Sequence, residues 1–137
     1  MDGNIEKSDQ VEDRLVDFGV RVARMSEQLP RTELGRYYAN QILRASNAPA
    51  PMYGEARCSE SSADFVHKMK LALKELNETR IWMKMIERYG FFKPDVLTEL
   101  KSENFQLIKI FSASIATAKK NAANKKTIKS SKREHEN

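Results

Sequence analysis

Mostly apolar residues recur along this chain at helical spacing, chiefly in steps of three and four, in four separate stretches. The first runs Val11, Leu15, Phe18, Val22, Met25, Leu29, and the second Leu34, Tyr38, Ile42, Ala45. The third is Phe65, Met69, Ala72, Leu76, Thr79, Met83, Ile86, and the fourth Leu97, Leu100, Leu107, Phe111, Ile115. This spacing stacks side chains on one face of a helix, whereas strand residues alternate between two faces. Each stretch therefore predicts a helix with one face to cover. Joined by short connections, four such helices cover each other as an all-α, antiparallel up-down-up-down four-helix bundle. Five glycines and four prolines are too few for a chain of hairpins, and 137 residues suit one domain.

Helix boundaries follow from the residues between the series. Asp9 is the expected cap of the first helix and Pro30 its end, while Thr32 stands where a cap for the second belongs. Pro49 and Pro51 then interrupt that second helix and predict either a bend, or an end and a restart with Ser46 or Asn47 as cap. Such a break either shapes a pocket or bends the helix round the bundle. The run SESSAD is rich in capping residues before the third helix, Gly90 closes it, and Pro94 opens the fourth. Asn104 places a polar group in the fourth seam. The expected organisation is a flexible N-terminus over 1–8, the bundle over 9–120 and a disordered basic tail over 121–137. Beyond Lys120 the only large apolar side chain is Ile128, too little to offset the entropy of ordering.

The net charge of +5 is carried by the tail. Lys119, Lys120, Lys125, Lys126, Lys129, Lys132 and Arg133 face only Glu134 and Glu136 there, and the body is balanced. Such a segment suits sequence-independent contact with the phosphates of RNA or DNA, and equally a merely solvating tail. The third helix carries Leu71, Leu73, Ile81, Trp82 and Met85 outside its seam, a second apolar face that predicts self-association through Leu73, Ile81, Trp82 and Met85.

Other features point to little chemistry. Cys58 is the lone cysteine, so neither an intrachain disulfide nor a cysteine zinc site is possible. Glu75 and Glu78 share a helix face that Glu55 approaches, an arrangement for a metal or for ion pairs with Arg44, Arg80 or Lys74. A di-iron bundle needs Glu-x-x-His on two helices, and the nearest match is a single Asp64-x-x-His67. Neither a catalytic residue nor a metal or other cofactor is expected. No apolar run approaches the length of a membrane span and no signal-peptide order opens the chain, so the cytoplasm is the expected compartment and no membrane partner is expected.

Leu29-Pro30, QILRAS (Gln41 to Ser46), Gly54-Glu55-Ala56, Asp64-Phe65 and ALKELNETRIWM (Ala72 to Met83) follow one another in an order that resembles the 23S ribosomal RNA intervening-sequence proteins. The resemblance spans roughly Val16 to Lys119. It implies an antiparallel four-helix bundle, commonly a homopentameric ring, found in bacteria. Some relatives are encoded inside insertions of the large ribosomal RNA. A similar protein, the accessory variability determinant of diversity-generating retroelements, has a basic surface and works with a reverse transcriptase and nucleic acid. The family supplies no catalytic residue. Arg44 and Glu55 match its pattern, while Ala45 replaces a serine, Pro49 an apolar residue, Met52 an asparagine and Ala56 a glycine.

Two functions are thus expected of the chain. One is a non-enzymatic oligomer, a pentamer by family likeness, that binds nucleic acid weakly through Arg36, Arg44 and the seven tail bases. The other is a scaffold that recruits an enzyme such as a reverse transcriptase without touching nucleic acid itself.

Overall fold

The structure, a computed structural model, describes residues 2–136. Its elements are α1 (Asp2–Glu27), α2 (Glu33–Asn47), α3 (Pro49–Arg57), α4 (Ser62–Tyr89) and α5 (Thr98–Glu136), with no strand among the described residues. α2 and α3 form one bent rod, so the five segments make four rods. Each rod packs on the next and α5 closes back on α1. Arg14 on α1 holds Glu103 on α5 at 2.6 Å, and Arg21, two turns on, meets Glu99, four residues earlier in α5. The two helices therefore run in opposite directions. Lys101 pairs with Glu87 at 3.0 Å, and Asn104, later in α5, meets Leu76, earlier in α4, so these two helices are antiparallel as well. The ion pairs are partly exposed and contribute at most about 1 kcal/mol each, so they orient the rods more than they hold them.

The cohesion is apolar. Leu15, Phe18, Val22, Ile42, Met69, Leu76, Met83, Ile86, Leu107 and Phe111 are all at or near zero exposure. They belong to the four periodic series, and burying each such side chain contributes about 1.5 to 3 kcal/mol. Asn104 is buried among them with its amide nitrogen donating to the Leu76 carbonyl at 3.1 Å, which ties α5 to the middle of α4. Its amide oxygen has no protein partner.

Three boundaries agree with the sequence expectations. Thr32 Oγ1 accepts from the Gly35 N–H, Ser61 Oγ accepts from the Asp64 N–H, and Gly90 ends α4 in the left-handed region at φ 91°. Without a Cβ, glycine adopts that conformation at little cost, and its N–H closes on the Ile86 carbonyl. The proline pair bends the rod. Ala48 stays right-handed (φ −73°, ψ −38°), and the Met52 N–H reaches the Ala48 carbonyl at 3.2 Å across the step. Neither Ser46 nor Asn47 caps the new segment, so of the two expected outcomes the rod takes the bend. The Asn47 amide instead donates to the Gly19 carbonyl of α1 at 3.2 Å and to Leu43 of its own helix at 3.0 Å. Pro49, Ala45 and Ser46 are buried, so the kink is filled by the bundle and forms a bend.

The ends differ from the sequence reading. α1 already begins at Asp2, and Asp9 lies inside it, where with Glu12 it holds Arg57 of α3 at 2.8 and 3.3 Å. Pro94 sits in a turn, with α5 starting at Thr98. The irregular segment expected from residue 121 is instead helix as far as Glu136. No glycine or proline follows Pro94, and a helix already nucleated by its buried half extends at little further cost through Ala- and Lys-rich sequence. Ala122 is the last half-buried residue, and the helix from 123 to 135 is exposed.

Candidate nucleic-acid interface

The antiparallel order separates the bases that the sequence grouped together. Arg36 lies in the first turns of α2, beside Glu27, Leu29 and Pro30, at one end of the bundle. The extension of α5 leaves the opposite end, where α4 begins. Arg44 lies between them, donating to Gln41 at 2.8 Å and close enough to Glu75 to favour its charge. Arg36 and Arg44 therefore do not share a surface with the tail. Lys119, Lys120, Lys125, Lys126, Lys129, Lys132 and Arg133 do share one element, an exposed helical rod.

One pairing there had no counterpart in the sequence reading. Lys119 and Lys70 of α4 line one groove, and that neighbour holds the Lys119 ammonium below its ordinary pKa. Lys126 and His67 line the same groove, with Val66, Ala63, Ala122 and Ala123 as its apolar wall. The sequence held a signal for this pairing. In two antiparallel helices, residues equally far from the connection meet, and Lys70 and Lys119 are so placed about the segment between Gly90 and Leu97.

The second apolar face of α4 is also divided. Ile81 and Met85 are exposed, whereas Leu73 and Trp82 are half-buried against the core. Leu73 precedes Trp82 by nine residues, half a turn round the helix, so these four do not form one patch. Trp82 instead joins an aromatic group across to α2. Its ring lies 5.8 Å from Tyr37 and 5.6 Å from Tyr38, with Tyr38 in turn 5.8 Å from Phe91 and 6.4 Å from Tyr89. Tyr37 and Tyr89 are more than half exposed, and with Ile81 and Met85 they form an open apolar surface.

The carboxylates are plainer. Burial, then the neighbouring Glu78, pushes the Glu75 carboxyl above its ordinary pKa. Glu78 accepts a long hydrogen bond from the Trp82 indole at 3.4 Å. Among the described residues no three His, Cys, Asp or Glu side chains converge as a metal site. Cys58 is exposed at the end of α3. No described helix is long and apolar enough to cross a membrane.

Residues 7–113 match the family described as 23S rRNA-intervening sequence protein. A crystal structure of a protein of unknown function from the S23 ribosomal protein family of Bacteroides thetaiotaomicron is similar in fold, with a TM-score of 0.74 and 26% identity. The similarity covers 80% of this chain and 98% of that one. A search of curated proteins gave no match. All seven tail bases lie beyond the matched residues. The periodic core, the four rods and the matched span together place this chain in the 23S rRNA-intervening sequence protein family.

Proposed function

We propose that this chain is a non-enzymatic, cytoplasmic bundle that self-associates, as a pentamer, and holds RNA or DNA weakly through backbone phosphates. The observation that carries the reading is the end of α5 from Lys119 onward, a helical stretch with seven exposed bases that leaves a body of balanced charge. Lysine and arginine on such a rod bind phosphates by displacing counterions, so affinity falls steeply with salt and sequence matters little. No aromatic residue stands in the extension to stack on a base. The aromatic surface of Tyr37, Trp82, Met85 and Tyr89 supports self-association, since an exposed apolar patch of this kind is unfavourable in water. Several extensions on one assembly would then act together.

Titration of labelled RNA against the full chain and a chain ending at Ala118, at two salt concentrations, tests the reading. Salt-sensitive binding by the full chain alone is expected, and equal binding by both removes the tail mechanism. The same aromatic surface supports a second reading, a scaffold for an enzyme such as a reverse transcriptase. Stoichiometric co-purification of one protein that survives nuclease treatment would favour that alternative.

A further inference from the structure

We infer that the groove between the start of α4 and the α5 extension is the entry to a one-faced phosphate track formed by Lys70, Lys119, Lys126, Lys129 and Arg133. The inference rests on the nucleic-acid reading above and assigns it a site. Lys70, His67, Lys119 and Lys126 line a groove of about 560 Å³. Two ammonium groups on one groove, as Lys70 and Lys119 are, repel one another, and a phosphate held between them turns that repulsion into charge-assisted hydrogen bonds. The first turn of α4 adds to this. Ser62 and Ala63 line the groove at positions whose N–H groups have no partner within the helix, and the helix dipole there favours an anion. Asp64 in that turn is paired with Lys68 at 3.2 Å.

Register along α5 decides which bases continue the track. At about 100° per residue, Lys119, Lys126 and Arg133 recur every seven positions on the face that meets α4, with Lys129 beside them. Lys120, Lys125 and Lys132 lie on other faces. From Lys119 to Arg133 the rise is about 21 Å, the length of roughly six phosphates along one duplex strand. The chemical class recognised is the phosphodiester backbone.

Two charge-matched variants of the full chain test this: K70A/K119A/K126A on the track and K120A/K125A/K132A off it. Anisotropy of a labelled uridine homopolymer is measured for each at about 50 and about 200 mM salt. All six positions are exposed, and circular dichroism checks that both variants keep their helices. The on-track variant should lose at least about tenfold in affinity and about two from the salt slope, while the off-track variant loses less than about threefold. Equal losses would overturn the track and leave the tail reading standing. Absence of binding by the unaltered chain would overturn both. Loss of binding to anionic phospholipid vesicles on the same track, with RNA affinity unchanged, would reassign the groove to a membrane surface.

Discussion

Pro30 turns its carbonyl toward the first turn of α2, so a Cβ built on Gly35 would fall well inside contact distance of that oxygen. The obstacle is backbone on a turn already fixed by the Thr32 cap, and it has little room to give. Gly35→Ala should therefore cost about 1 to 3 kcal/mol, the range for overpacking, seen as a lower urea midpoint with an unchanged slope. Glu75 gives a prediction of opposite sign. Its folded pKa is raised, first by burial and then by Glu78, above the ordinary 4.5. Its stabilising share is thus complete below that ordinary value and is lost as pH rises through the folded one. Glu75→Gln keeps the neutral form at every pH. The variant should be more stable than the parent near pH 7, and the difference should vanish below about pH 4 in paired urea titrations. A constant difference across that range would refute the assignment.

The helices show which signals a sequence carries. A buried stripe is periodic, so Leu15 to Leu29, Met69 to Ile86 and Leu97 to Ile115 declare their helices and their inner faces together. The kink was legible because proline removes a donor wherever it stands. The continuation of α5 was not, because its exposed residues carry no period and are held by propensity and by the helix already formed behind them. Asp9 misled for a related reason: a side chain suited to capping was already bound, inside a helix, to Arg57. Lys70 and His67 joined the site only when antiparallel pairing brought α4 to α5. Because α5 buries almost nothing past Ala122, a chain ending at Ala122 should melt within about 2 °C of the full chain. Its circular dichroism should fall by the share of helix removed. A large drop in melting temperature would show that the extension packs on the body.

At the scale of the whole molecule, one end presents bases and the other an aromatic surface, and the proposed function requires the second to multiply the first. Met85 and Tyr89 are exposed one turn apart on α4, with Tyr89 beside Tyr38 of α2 and both away from the Lys70 groove. Placing carboxylates there, as Met85→Glu with Tyr89→Glu, should prevent a second copy from docking while leaving the core series untouched. Sedimentation is expected to show a multimer for the parent and a monomer for the variant, with equal helical content. The same pair of proteins then separates contact from avidity. On an RNA too short to reach two extensions, the affinities should agree. On a long RNA, the monomer should bind about a hundredfold or more weaker, since linked sites gain by effective concentration what a single site lacks. Equal affinity on long RNA, with the parent shown to be multimeric, would mean that the assembly does not align its extensions on one strand, and the multivalent function would have to be abandoned even if the phosphate track survived.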